Sequence, residues 1–203
     1  MKYALNLTEK FDLTAPSASG AIVGQEQRFV AWQPSTWPAA PLAVDEKFIY
    51  VLKGIFEDSM LTEISSTIGD IHKCHGSLTG RGHVIAIAEM CALDAIASYG
   101  YRNHHVSDFI NAHFRPDYRP FANAIYKLHR NSLIHSWNLF EASIYPDDTK
   151  IKSEGGTVAF GLLDFFTVLV DATQDFLNQL EASPDLQRNS LARYAELKAT
   201  AKA

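Results

Sequence analysis

The run Val84-Ile85-Ala86-Ile87-Ala88-Glu89-Met90-Cys91-Ala92-Leu93-Asp94-Ala95-Ile96-Ala97-Ser98-Tyr99 is apolar on nearly every side of a helix. A helix of that kind has almost no face to give to water and must be surrounded by other elements. Its small residues let neighbouring helices approach closely. Glu89 and Asp94 are the exceptions, and a carboxylate removed from water needs a partner. The chain has no run near the roughly eighteen continuous apolar residues expected of a membrane span. The segment is therefore expected to be the buried centre of a folded domain.

The rest of the chain supplies the elements that can enclose it. Residues 1–44 are the least helical part, with a turn signal at Ala15-Pro16-Ser17-Ala18-Ser19-Gly20 and helix breakers at Pro34, Pro38 and Pro41. They are expected to form an extended arm whose Phe29, Trp32 and Trp37 lie across a helical domain spanning 45–203. From Asp45, a good capping residue, Phe48, Leu52, Ile55, Phe56, Met60, Ile64, Ile68 and Ile71 recur at helical spacing. Gly54 and Gly69 weaken that helix, and Gly69 is placed to end or bend it. Val106–Phe114 predicts a short helix stopping before Pro116, and Pro120 suits the first residue of the next. Residues 139–160 shift toward a period of two and predict a small β-hairpin. Leu162 to Leu180 is a strong amphipathic helix, and a weaker one follows Pro184. The sum is an all-α fold: a helical bundle with a small β-hairpin insertion and an extended N-terminal arm.

Two cysteines, Cys74 and Cys91, make no disulfide framework. The first ten residues lack the apolar core of a secretion signal, so a cytoplasmic, reduced protein is expected. The formal net charge of −5 argues against a general nucleic-acid coat, but the charge is uneven. Residues 101–135 hold five basic residues (Arg102, Arg115, Arg119, Lys127, Arg130) against Asp108 and Asp117, a local net of +3, with five of the eight histidines. Such a field suits an anion; a solvated basic surface accounts for it equally well.

Within that window, Tyr126-Lys127-Leu128-His129-Arg130-Asn131-Ser132-Leu133-Ile134-His135-Ser136-Trp137 puts polar groups into an apolar helical pattern. A histidine can carry a proton near neutral pH, and a guanidinium can hold and stabilise a phosphate. Together they suffice for attack of a ribose 2′-hydroxyl on the adjacent phosphate without a metal. Arg130 and His135 are five apart, about 140° around an ideal helix, so meeting at one substrate requires a helix break or a second copy of the chain. The competing account is a packed histidine with a surface arginine. His72-Lys73-Cys74-His75 offers too few ligands at zinc spacing, His104-His105 reads as a solvated turn, and the basic tail residues Arg188, Arg193, Lys198 and Lys202 read as a solvated helix.

The segment Leu128–Ser136 resembles the signature of the HEPN superfamily: an arginine, often followed by a polar residue, then four to six residues, then histidine. The order of elements over residues 45–182 is similar to that of HEPN-like bundles. The resemblance implies a metal-independent endoribonuclease, a toxin or antiviral defence effector acting as a homodimer on single-stranded RNA, with no cofactor. Carried over, Arg130 binds the scissile phosphate, His135 is the general acid or base, and Asn131 orients one of them. Asp94 and Glu89 are candidates to support Arg130 or His135, against the plainer account of carboxylates bonded to helix ends or tyrosines. Lys127, His129 and Arg119 are candidate RNA contacts. Trp137 stands where nucleotidyltransferase-controlled HEPN toxins carry a modified tyrosine, which argues against that mode of control by an antitoxin. Many superfamily members are instead non-catalytic dimeric modules that bind a protein partner or nucleotide.

Overall fold

The computed structural model describes residues 48–49, 52–75, 81–102, 105–127 and 142–200. The expected N-terminal arm lies outside them. Phe48 and Ile49 are helical, and from Leu52 the chain passes through a π-helical stretch, Gly54–Leu61, directly into α1, Thr62–His75. The periodicity marks the helix but carries no sign of the π-helical widening. At the return to α geometry, the Thr62 N–H reaches the carbonyls of Glu57 and Ser59, and its hydroxyl donates to the Glu57 carbonyl at 2.7 Å. Gly69 neither ends nor interrupts α1. Ile64 and Ile68, in the turn that precedes it, are buried in the core.

The apolar run becomes α2, Gly82–Gly100, which packs against α1, the π-helical stretch and four elements that follow it. Those four are α3 (His105–His113), β1 (Ala142–Tyr145), α5 (Leu162–Ala182) and α6 (Pro184–Thr200). Between α3 and β1 lie a 3-10 turn, Arg119–Phe121, with Pro120 near its start as expected, and α4, Ala122–Lys127. By length and composition α2 could cross a bilayer, with a mean hydropathy of 1.2, yet half of its apolar window is buried inside this fold. Burial is not complete all round: Val84 and Cys91, seven residues apart and so on one face, are exposed among the described residues. At its C-terminus Gly100 lets α5 come near, since a Cβ there would lie 2.7 Å from the Phe176 ring.

All nine positions assigned to the buried face of the 162–180 helix (Leu162, Phe165, Phe166, Leu169, Val170, Thr173, Phe176, Leu177, Leu180) are buried. The predicted hairpin is present as β2 (Lys152–Glu154) antiparallel to β3 (Thr157–Gly161), turning through Gly155 and Gly156 at φ 59° and 84°. The preceding strand is not part of a simple hairpin. β1 pairs parallel to β3, giving the order β1-β3-β2. Residues 146–151 therefore cross the end of β3, where the Gly161 N–H donates to the Thr149 carbonyl at 2.8 Å and the Leu163 N–H to that of Asp147 at 3.0 Å.

The same corner holds a buried ion cluster. Asp164, in the first turn of α5, is 3% exposed. It receives both terminal nitrogens of Arg115 (3.1 and 2.7 Å), the Tyr118 hydroxyl (3.0 Å) and the Lys150 ammonium. Burial by itself would raise its pKa, but these donors outweigh it and hold the carboxyl below the usual aspartate range. The cluster ties the crossing loop and the α3–α4 connection to α5.

Two outcomes follow. A Cβ at Gly161 would stand 2.3 Å from the Asp147 carbonyl oxygen, so Gly161→Ala should cost about 1–3 kcal/mol in urea melts, whereas Gly155→Asn, in open space, should be close to neutral. Because the Asp164 pKa is depressed by folding, its stabilisation is complete above the unfolded value and disappears as pH falls through the folded one. Asp164→Asn should therefore lower the thermal midpoint at pH 7, and the gap to wild type should narrow toward pH 3.

Candidate functional site

The C-terminal half of α2, the start of α3 and one face of α6 enclose a cleft of about 260 Å³. Asp94, Ser98, Tyr101 and Arg102 come from α2 and the residues just after it, His105 from the first turn of α3, and Asn189, Arg193 and Glu196 from α6. Spacings of four and three put each helix's contribution on a single face. The two walls are fastened by the buried Ser190 hydroxyl, which donates to the Tyr99 carbonyl at 3.0 Å.

The most chemically pointed contact is between His105 and Asp94. The imidazole Nε2–H donates to Asp94 Oδ1 at 2.7 Å, with the two side chains 25% and 43% exposed. That bond leaves Nδ1 as the nitrogen available to a second partner, and the partial exposure leaves room for one. A histidine fixed by a carboxylate on one nitrogen and open at the other is equipped for proton transfer. Arg193 reaches Glu196 at 3.5 Å, while its buried Nε has no hydrogen-bond partner among the described residues. Arg102 is exposed and makes no ion pair among the described residues. The cleft thus combines the guanidinium groups of Arg102 and Arg193, the carboxylates of Asp94 and Glu196, hydroxyls, an amide and an imidazole, a mixed set suited to a polar, hydrogen-bonding ligand.

The Tyr126 ring stands edge-on to His105, centroids 6.5 Å apart. The end of α4 therefore lies beside the cleft, one residue before the segment that carries the sequence motif. Arg130, Asn131, His135 and His129 themselves lie outside the described residues, as does Trp137. Of the other predicted residues, Lys127 is exposed at the last turn of α4. Arg119 is exposed and donates from Nε to the Phe114 carbonyl at 3.2 Å, at the end of α3. Arg115, counted in the local basic field, is committed to Asp164 and Asp117. Asp94 was assigned to Arg130 or His135; among the described residues it holds His105. His105 was read as part of a solvated turn, and Arg193 as part of a solvated tail. The spacing of Asn189, Arg193 and Glu196 on one helical face is the signal that distinguishes Arg193 from the other tail bases.

Two further polar arrangements adjoin the cleft. His113, whose side chain is completely buried, donates from Nδ1 to Asp175 at 2.6 Å and accepts the Tyr101 hydroxyl at Nε2, 2.9 Å away. This chain ties α3 to α5 and fixes Tyr101 in the cleft wall. Glu89, by contrast, is 0% exposed, and neither carboxyl oxygen has a hydrogen-bond partner among the described residues. Burial raises its pKa well above the ordinary value, because an apolar surround favours the neutral acid over the anion.

No family model matches the chain, and no match was found among curated proteins or solved structures.

Because Glu89 is more easily deprotonated in the unfolded chain, its burial carries no ionisation penalty below about pH 4.5 and a growing one as pH rises toward its folded pKa. Glu89→Met should therefore stabilise the protein at pH 7 by about 1–3 kcal/mol, with the advantage shrinking toward pH 4.5. Paired urea titrations at the two pH values measure it.

Proposed function

We propose that the protein is a metal-independent endoribonuclease that cleaves single-stranded RNA by attack of the 2′-hydroxyl on the adjacent phosphate. Arg130 is assigned to the scissile phosphate, His135 to proton transfer and Asn131 to orienting them. The assignment draws on the HEPN-like spacing of Arg130, Asn131 and His135 in the sequence. The observation that supports it is that Tyr126, four residues before Arg130 in the chain, has its ring 6.5 Å from that of His105, beside a cleft that holds an imidazole and two guanidinium groups. A phosphodiester needs those functions, namely charge stabilisation and proton transfer.

The roughly 140° between Arg130 and His135 on a helix is met by a homodimer in which each copy completes the other's site. A cytoplasmic toxin or antiviral effector, held by a regulatory protein until needed, is the physiological role that accords with such an activity. The non-catalytic module is its rival, and one experiment separates them. Purified protein is incubated with labelled single-stranded RNA in the presence of EDTA, and the products are resolved by gel and mass spectrometry. The expected result is 2′,3′-cyclic phosphate ends from wild type and a loss of about 100-fold or more in His135→Ala and Arg130→Ala. Equal RNA profiles for wild type and His135→Ala, or cleavage that returns only on adding a divalent metal, would overturn the proposal.

A further inference from the structure

We propose that the cleft between α2, α3 and α6 is a binding site for a small zwitterion, a free α-amino acid with a polar side chain. The ligand carboxylate is assigned to the Arg193 guanidinium, with Arg102 adding charge, and the ammonium group to Asp94, with Glu196 adding charge. The assignment uses only residues that line the cleft, and it is independent of the ribonuclease function and of the Arg130–His135 segment.

The lining selects the class of ligand. Every residue that lines the cleft has a polar side chain, and none is aliphatic. Such a lining offers an apolar group no gain from burial, and its own polar groups need partners once water is displaced. Two carboxylates, Asp94 and Glu196, share the cleft with two guanidinium groups, Arg102 and Arg193. Their formal charges cancel while His105 is neutral, so the lining favours neither a plain anion nor a plain cation. A ligand with one charge of each sign serves both sets.

The contacts among these groups leave much of their capacity unused. Where this chain builds a structural ion pair it makes a close one: Arg115 holds Asp164 with two nitrogens, at 3.1 and 2.7 Å. In the cleft, Arg193 stands 3.5 Å from Glu196, beyond the roughly 2.7–2.9 Å of a charge-assisted hydrogen bond. The Arg193 Nε is buried with no hydrogen-bond partner among the described residues, and a buried donor left unpaired is costly. Arg102 is exposed and has no ion-pair partner among them. Asp94 holds His105 through Oδ1 at 2.7 Å, which leaves Oδ2 uncommitted among the described residues. Arg193 and Asp94 come from different walls, α6 and α2, so a ligand bound to both bridges the cleft. The volume, about 260 Å³, is below the roughly 300–1,000 Å³ of pockets for drug-sized ligands and suits a molecule the size of one amino acid. The walls are also set in advance: Ser190 bonds the Tyr99 carbonyl at 3.0 Å, and the Tyr101 hydroxyl donates to His113 at 2.9 Å. Preorganised walls reduce the ordering cost of binding.

A zwitterion site is diagnosed by its need for both charges. The purified whole chain is screened by thermal shift against the common L-amino acids, with ribose as a polyol and inorganic phosphate as an anion. The best binder is then measured by calorimetry. An amino acid with a polar side chain should raise Tm, and leucine should bind about tenfold or more weakly than it does. Acetylating the amine of that binder, or converting its carboxylate to the amide, should each weaken binding by about tenfold or more. Arg193→Gln and Asp94→Asn should each do the same, with unchanged circular dichroism. If either variant fails to fold, the two blocked ligands on wild type decide. No response to any amino acid, undiminished affinity for a blocked form, undiminished affinity in both folded variants, or a response to ribose or phosphate alone would overturn the proposal. Protein that binds the amino acid and leaves RNA intact loses the ribonuclease function alone. Protein that cleaves RNA and binds no amino acid loses the zwitterion site alone.

Discussion

The burial of α2 is the constraint on which the rest of the structure depends. Its sequence leaves few polar side chains to face water, so hydrophobic burial draws α1, α3, α5 and α6 onto it. Small residues along the helix permit that crowding, and Gly100 shows how tight it becomes where α5 passes. Stability drawn from such packing is sensitive to shape, because a core this dense gives little room for added atoms.

The polar groups that α2 does carry are then sorted by how far along the helix they fall. Glu89 lies in the middle, where enclosing helices exclude water, and burial there favours its neutral form. Asp94 lies one turn and a half further on, where the core opens between α3 and α6, and a histidine on the next helix can reach it. The same element therefore produces a hidden acid and a usable carboxylate. Depth of burial decides which is which.

Charge is divided in a similar way between scaffold and cleft. Arg115, Lys150 and Tyr118 are spent on Asp164, at the corner where the loop after β1 crosses the end of β3. That cluster gives the hairpin region a fixed attachment to α5. Arg102 and Arg193 are left to the cleft. Within the basic window of the sequence, Arg115 is thus structural, held at a buried aspartate, while Arg102 lines a ligand-sized space.

The amphipathic period of residues 162–180 was enough to assign nine of the twelve buried positions of α5, all but Asp164, Val168 and Ala172, since helical spacing is a local property that side chains display directly. The apolar run likewise determined that α2 would be central, and the prolines marked where α3 and α5 stop. What the sequence could not display were relations between distant segments. The parallel pairing of β1 with β3 depends on a loop crossing that only the folded chain establishes. The π-helical widening at Gly54–Leu61 leaves the periodic stripe unbroken and so leaves no local mark. In the cleft, Asp94 was legible as a carboxylate in need of a partner, but His105 and Arg193, ordinary surface residues by pattern, joined it only through the packing of α3 and α6 on α2. Local periodicity and desolvation are written in the chain one segment at a time; which side chains from different segments meet is decided by how the helices dock.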